Sequence, residues 1–125
     1  MQDKKNPVSW FEIPARHLMR AKDFYEKVFG YEMAVSEIGP LKMAWFPGAE
    51  GAEGSGGSLV EARSYIPSHE GTMVYFSVGD IDSVLRKVEQ NGGKIIRSKM
   101  SIGDYGFVGH FEDCEGNRVA LHSYS

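Results

Sequence analysis

The end of the chain, HFEDCEGNRVALHSYS (residues 110–125), carries polar side chains at alternate positions of two apolar runs. Because alternate residues of a strand point to the same face of a sheet, His110, Glu112, Arg118 and His122 are expected to share one face. Imidazole and carboxylate groups can transfer protons or ligate a metal ion, and a guanidinium can bind an anion. This face could therefore be a catalytic site, a metal site or a hydrated surface.

The turn between the two runs predicts their register. If CEG (114–116) is a three-residue loop with Gly116 in the left-handed conformation, Asp113 pairs with Asn117. The remaining cross-strand pairs of this register are Glu112–Arg118, His110–Ala120 and Val108–His122. Direct partners have Cβ atoms about 5 Å apart and diagonal neighbours about 7 Å, so the two histidines are expected to lie beside Ala120.

The polar side chains of this hairpin have alternative interpretations. Glu112 and Arg118 are predicted to form a cross-strand ion pair, which contributes at most about 1 kcal/mol where it is exposed. The alternative is a clamp on a ligand. His110 and His122 could perform metal-free acid–base chemistry, since unperturbed imidazole titrates at about pH 6.5, or could only hydrogen-bond a bound molecule or water.

A duplicated pattern of elements must position these side chains. Residues 18–30 align without a gap with residues 81–93, and both stretches have apolar residues at helical spacing before a glycine. Helices are therefore predicted at about 18–29 and 81–91. The strand-like runs are 8–14, 31–38, 41–46 and 57–62 in the first half, and 72–78, 94–98, 105–112 and 117–123 in the second. The chain thus has the pattern βαβββ twice.

The duplication predicts an α+β fold with the helices outside a cupped mixed sheet. Residues 1–125 are expected to form a single domain, with module one at about 8–62, module two at about 72–123, and PSHEG (67–71) as the connector. One module of roughly 50 residues would be marginally stable alone, so the two modules are expected to share one core.

Strand parity divides the side chains between two faces of the sheet. One set is apolar and is expected to pack beneath the helices: Phe11, Ile13, Val74, Phe76, Val78, Phe107, Phe111, Val119 and Leu121. The opposite face carries Trp10, Glu12, Met73, Tyr75, Ser77, Val108, His110, Glu112, Arg118, Ala120 and His122. Aromatic side chains mixed with a few polar groups are typical of a ligand pocket.

Composition excludes several classes of partner. The chain has 125 residues and a net charge of −3, with scattered Lys and Arg, which argues against nucleic acid or an anionic membrane. No signal peptide is expected from the N-terminal segment, and no apolar run approaches the roughly 18 residues of a membrane helix. Cys114 is the chain's one cysteine and cannot form an internal disulfide, so a cytoplasmic location is predicted.

Other reactive side chains and the glycine-rich segment have structural interpretations. Cys114 lies at the predicted hairpin tip, which favours an inert surface thiol. His17 is predicted to be a surface residue at a helix start, and His69 an exposed loop residue. The segment PGAEGAEGSGGS (47–58) lacks the lysine and spacing of phosphate-binding loops, so a flexible loop is favoured, with a lid over a site as a further hypothesis.

The paired βαβββ pattern and the segments FEIPARHLMRAKDFYEKVFGYEM, GGSLVEARSYIPS and GFVGHFEDCEGNRVALHS resemble the glyoxalase/bleomycin resistance/dioxygenase superfamily, also called vicinal oxygen chelate (VOC) proteins. The resemblance runs from about Val8 to Ser123. It implies a cupped sheet around a ligand cavity at or near a homodimer interface. In the metalloenzymes of the family, His and Glu ligands on the inner face of the cup hold a divalent ion.

The resemblance places the family's metal ligands on residues that cannot replace them. The ligand positions fall on Trp10, Met73 and Ala120, and the fourth falls on Val60 or Glu61. Indole and alanine cannot ligate, and a thioether is a poor ligand for hard or borderline cations. The usual metal centre is therefore predicted to be absent, and no cofactor is expected.

Two functions are compatible with these residues. The preferred one is a metal-free member of the family that binds a small organic molecule, as bleomycin-resistance members sequester a drug. The expected ligand-binding residues are Trp10, Glu12, Met73, Tyr75, His110, Arg118, Ala120 and His122. The alternative is an enzyme related to lactoylglutathione lyase, a lyase or isomerase that uses the histidines or a displaced metal held by His110, His122 and Glu112 or Glu12. Arg118 would oppose such a cation.

Overall fold

The computed structural model describes residues 6–49 and 51–125, in which the chain forms two α-helices, one 3-10 turn and eight strands. Their order confirms the predicted pattern of one strand, one helix and three strands, repeated twice. The elements are β1 (Trp10–Pro14), α1 (Leu18–Phe29), β2 (Ala34–Ile38), β3 (Leu41–Trp45), β4 (Gly56–Glu61), β5 (Tyr75–Ser77), α2 (Ile81–Gln90), β6 (Lys94–Ser101), the 3-10 turn (Gly103–Tyr105), β7 (Phe107–Glu112) and β8 (Arg118–Ser123).

Each module forms its own mixed sheet, and the described strands make up two sheets of four. The strand order is β1-β4-β3-β2 in module one and β5-β8-β7-β6 in module two. In both sheets the first pair is parallel and the other two pairs are antiparallel. This is the α+β fold of two βαβββ modules that the duplication predicts. Strand β5 is shorter than expected because only Tyr75–Ser77 pair with β8.

The helices begin and end where the sequence supplies partners for the backbone. Asp80 caps α2, and its carboxylate accepts a hydrogen bond from the N–H of Ser83 at 3.2 Å. At the end of α1, Gly30 adopts a φ of 75° and donates its N–H to the carbonyl of Glu26 at 2.8 Å. Neither helix of the described residues is long and apolar enough to cross a bilayer.

The hydrophobic core contains residues from both modules and both helices. The parity prediction is confirmed, since Phe76, Val119 and Leu121 belong to this core and Phe11 packs against it. The rings of Phe11 and Phe76 meet with their centroids 5.8 Å apart, which makes the core continuous from one sheet to the other. Full burial of one such side chain contributes about 1.5–3 kcal/mol.

A buried carboxylate ties the turn between β7 and β8 to α1. Asp113 is 2% exposed, and the hydroxyl of Tyr25 donates to its Oδ2 at 2.8 Å. The backbone N–H groups of Glu115 and Asn117 donate to Oδ1 at 2.9 and 3.0 Å, and the Asn117 side chain donates to Oδ2 at 3.0 Å. Burial raises the pKa of Asp113, although these hydrogen bonds act in the opposite direction.

The same turn also holds the start of α1 and the end of β1. The carboxylate of Glu115 accepts hydrogen bonds from the N–H of His17 at 3.0 Å and the Nε of Arg20 at 2.8 Å. Burial alone would raise the pKa of Glu115, but the guanidinium and the backbone donors outweigh it and lower that pKa. Asn117 donates from its side chain to the carbonyl of Pro14 at 2.8 Å. The turn of module two therefore fastens module one in place.

We expect Tyr25→Phe to lower the free energy of unfolding by about 1.5–3 kcal/mol, because the buried Asp113 carboxylate loses a hydrogen-bond donor. The shift of the urea midpoint, followed by circular dichroism, measures this change. Tyr31→Phe is the matched control, since its ring also stacks on Phe29, and removal of its hydroxyl should cost less than about 0.5 kcal/mol. Equal effects of the two substitutions would contradict this role of Tyr25.

Candidate functional site

The hairpin at the end of the chain has the predicted register. Gly116 adopts a φ of 96°, and the N–H of Asp113 donates to the carbonyl of Asn117 at 2.9 Å. The cross-strand pairs are Glu112–Arg118, His110–Ala120 and Val108–His122. Strand β5 adds Tyr75 opposite Ala120 and Ser77 opposite His122. These side chains share the sheet face that points away from the helices.

The prediction of an ion pair between Glu112 and Arg118 is wrong. Arg118 instead donates to Nδ1 of His110, with its Nη2 at 2.8 Å and its Nε at 3.2 Å. Glu112 bonds to the Nε2 of His69, which reaches it from the connector at 2.8 Å. His110 is only 7% exposed, so its ring nitrogen needs a protein partner, whereas the carboxylate has His69 and solvent.

The contact with Arg118 sets the tautomer of His110. Because a guanidinium can only donate, Nδ1 of His110 must accept, and the ring hydrogen of the neutral imidazole lies on Nε2. This Nε2 lies 3.5 Å from the hydroxyl of Tyr75. Burial, and then the charges of Arg118 and Arg97, lower the pKa of His110 from its ordinary value of 6.5. At neutral pH, His110 is therefore an uncharged donor.

His122 is oriented by a backbone group. Its Nε2 lies 2.6 Å from the carbonyl oxygen of Tyr105, and a carbonyl only accepts, so Nε2 carries a hydrogen. The edge of its ring packs against Tyr124, with the centroids 4.7 Å apart. Gly106 permits this arrangement, because a Cβ at that position would lie 3.2 Å from Nε2 of His122. In the neutral form, Nδ1 of His122 is left as an acceptor.

These side chains line an open groove of about 570 Å³ on module two, which we call the His110 groove. Tyr75 is 49% exposed and Met100 is 41% exposed, so apolar surface is accessible in it. Ala120, fully buried opposite both His110 and Tyr75, leaves the floor between them flat. The lining residues are Tyr75, Ser77, Arg97, Met100, Ile102, Val108, His110 and His122.

Five of the residues predicted for the site are not among those that line the His110 groove. Arg118 contacts His110 and Ala120 pairs with it in the sheet, whereas Trp10, Glu12 and Met73 lie elsewhere. Trp10 packs edge to face on Trp45 with ring centroids 4.9 Å apart, and both line a groove of about 610 Å³ on module one, with the glycine-rich segment. Glu12 accepts a hydrogen bond from the hydroxyl of Tyr65 at 2.9 Å. Met73 precedes β5 and is half-buried. Within one chain, Trp10 and Tyr75 therefore line different grooves.

The chain was compared with protein families and with known sequences and structures. The profile of the Glyoxalase/Bleomycin resistance protein/Dioxygenase superfamily matches residues 8–121. The chain belongs to this superfamily. It is 31% identical, over 91% of either chain, to a glyoxylase-like domain-containing protein of Didymella fabae.

Two further proteins that match this superfamily member, one by sequence and one by fold, come from Streptomyces. The anthracycline biosynthesis protein DauV of Streptomyces sp. (strain C5) is 27% identical over 90% of this chain, which spans only 45% of that protein. The structure of TnmS3, an antibiotic binding protein from Streptomyces sp. CB03234, matches 99% of this chain and 100% of its own length. Its TM-score is 0.72 and its identity is 20%, so this likeness concerns the fold alone.

The residues at the positions that the resemblance assigns to metal ligands do not fit a metal centre. The fourth position had two candidates, Val60 and Glu61. Glu61 accepts a hydrogen bond from the N–H of Leu18 at 2.7 Å, at the start of α1, whereas Val60 is fully buried on the face that carries Trp10. The Glu61 carboxylate is thus hydrogen-bonded to the N-terminus of α1. Among residues 6–49 and 51–125, no three His, Cys, Asp or Glu side chains converge as they would around a metal ion.

Several lining residues were not predicted from the sequence. Arg97, Met100 and Ile102 come from β6 and its end. The pairing of β6 with β7 shifts register between Ile95 and Arg97 and again between Arg97 and Met100. Such irregularities break the alternation on which parity depends, so the sequence pattern gave no signal for these side chains.

The cysteine lies away from the His110 groove. Cys114 is half-buried in the turn, and its Sγ lies 3.8 Å from the carbonyl oxygen of Arg20 on α1. Burial, followed by the nearby carboxylates, raises the pKa of the thiol to about 12. The thiol is therefore protonated at neutral pH and a poor nucleophile, as expected for an inert cysteine.

We expect the imidazole of His110 to titrate below pH 6.5, because burial and the guanidinium groups disfavour its cation. Nitrogen-15 NMR of the histidine rings should show the Nε2–H tautomer at pH values above this titration. Arg118→Met should raise the titration midpoint, since the nearest positive charge is removed, while Arg86→Met on the exposed side of α2 should not. A midpoint unchanged by Arg118→Met would contradict the assigned contact.

Proposed function

We propose that this superfamily member binds a small organic molecule in the His110 groove, without the metal centre of the family's metalloenzymes. The observation that carries this proposal is the state of His110. Its Nδ1 is held by Arg118 at 2.8 Å, so its Nε2–H is directed away from that contact, beside the hydroxyl of Tyr75. A donor of fixed tautomer in a groove that also exposes apolar surface is well suited to hydrogen-bond an oxygen atom of a ligand.

The remaining lining residues supply an apolar surface and a second polar contact. The ring of Tyr75 and the side chain of Met100 are exposed enough to pack against a flat molecule. Ala120 offers no side chain that would obstruct such a molecule between His110 and Tyr75. His122 adds an acceptor at Nδ1 in its neutral form. One matching sequence is named as an anthracycline biosynthesis protein, and a protein with the same fold is named as an antibiotic binding protein, which supports a small organic ligand.

The alternative function is that of an enzyme related to lactoylglutathione lyase. A general base needs a lone pair that faces the substrate, and the lone pair of His110 on Nδ1 faces Arg118 instead. Arg97 and Arg118 would also repel a divalent cation placed beside this imidazole. Acid–base catalysis by His110 is therefore disfavoured, and ligand binding is the role that this side chain supports.

We also propose the homodimer that the sequence predicts. Trp10 and Trp45, each 37% exposed, form an aromatic face on module one, and the His110 groove is open on module two. A second copy that covers these apolar faces would remove them from water and enclose a ligand between chains. Light scattering at tens of micromolar protein should give twice the mass of the chain. A monomer at that concentration would contradict the dimer.

We expect His110→Ala, His122→Ala and Tyr75→Ala each to weaken binding of a hit from a thermal-shift screen of small aromatic compounds. One lost hydrogen bond costs about 1 kcal/mol, or roughly fivefold in Kd measured by calorimetry. His17→Ala is the control, because this imidazole is exposed at the start of α1.

Two results would contradict the proposal. One is equal Kd values for all four variants and the parent protein. The other is stoichiometric Ni, Zn, Mn or Fe in protein purified without chelators, which would favour the enzyme instead.

A further inference from the structure

The charged side chains at the His110 groove are cationic. Arg97 lines the groove, and Arg118 lies beside His110 and donates to its Nδ1. Across residues 6–49 and 51–125, neither guanidinium has a carboxylate oxygen within 4.0 Å. Cations that lack a counter-charge at a concave surface attract anions, because the surrounding protein screens the interaction less than water does.

Glu112, the acidic residue paired with Arg118 on this sheet face, binds the connector between the modules. Glu112 pairs in register with Arg118, yet its Oε1 contacts His69 of the connector at 2.8 Å. Glu112 does not line the His110 groove. The connector therefore holds the carboxylate that pairs in register with Arg118.

Arg97 has hydrogen-bonding capacity to spare. Its Nη1 donates to Sδ of Met100 at 3.5 Å, and a thioether is a weak acceptor. A carboxylate accepts two parallel hydrogen bonds from one guanidinium, which makes it a far better partner. Exchange of the sulfur contact for a ligand carboxylate would also free the thioether to pack against an apolar ring.

We propose that the His110 groove selects an aromatic carboxylate over neutral and cationic molecules of the same shape. This inference rests on the proposed function and names the class of its ligand. The carboxylate accepts hydrogen bonds from Arg97 and from Nε2–H of His110, and the ring packs on Tyr75. Arg118 acts as a positioning residue, since it reaches the ligand only through the tautomer of His110.

Three probes of matched shape test the selection: 2-naphthoate, 2-naphthamide and 2-naphthylmethylammonium. Binding to the full chain is measured by isothermal titration calorimetry at neutral pH and low salt. We expect 2-naphthoate to bind roughly fivefold to tenfold more tightly than the amide, because charge-assisted hydrogen bonds are stronger than neutral ones, and the ammonium to bind most weakly. Added salt should weaken the binding of the naphthoate more than that of the amide.

Substitutions of single arginines identify the residue that causes a preference for naphthoate. Arg97→Gln should remove most of the difference between naphthoate and naphthamide, whereas Arg86→Gln, which changes an exposed arginine of α2, should retain it. Arg118→Met should have two effects at once: a lower affinity for naphthoate and a change in the NMR signals of the His110 ring. Circular dichroism melts verify that each variant is folded.

The possible outcomes separate the two proposals. Equal Kd values for the three probes, a preference that survives Arg97→Gln, or no naphthoate binding at millimolar concentration would each overturn the selection of carboxylates. If Tyr75→Ala left the binding of every probe unchanged, the probes would bind outside the groove, and the proposed function itself would fail.

Discussion

The buried carboxylate of Asp113 is the constraint on which the remaining structure depends. Removal of this group from water is costly, as its raised pKa reflects, and the surrounding donors of Tyr25, Glu115 and Asn117 compensate for that cost. Those donors belong to α1 and to the turn itself, so the carboxylate joins the two modules and shapes the hairpin at once. The same turn also sets the strand register that brings His110 beside Ala120 and Arg118.

The register of the last hairpin could be predicted because it follows from local features. The CEG turn requires a left-handed residue, Gly116 can adopt that conformation, and strict alternation then assigns every side chain of β7 and β8 to a face. The helices and the core were predictable for the same reason, since apolar periodicity reports directly which side is buried. Parity also gave the correct face for Tyr75, His110 and His122.

Contacts that depend on distant segments could not be predicted in this way. Parity placed Arg118 opposite Glu112, but the choice between Glu112 and His110 depends on His69, which arrives from the connector. Alternation failed along β6 because its register shifts twice, and so Arg97 was missed. The sequence left Val60 and Glu61 as alternatives, and only the N-terminus of α1, which receives the Glu61 carboxylate, distinguishes them.

The arrangement of the two indoles has a spectroscopic consequence. Trp10 and Trp45 are the only tryptophans of the chain, and they lie on the same face of the module one sheet with their ring centroids 4.9 Å apart. Intrinsic tryptophan emission from this protein thus reports on one face of one sheet. At this separation we expect the strong far-ultraviolet transitions of the two indoles to couple, so the circular dichroism of the chain in that region should depend on the relative orientation of the two rings.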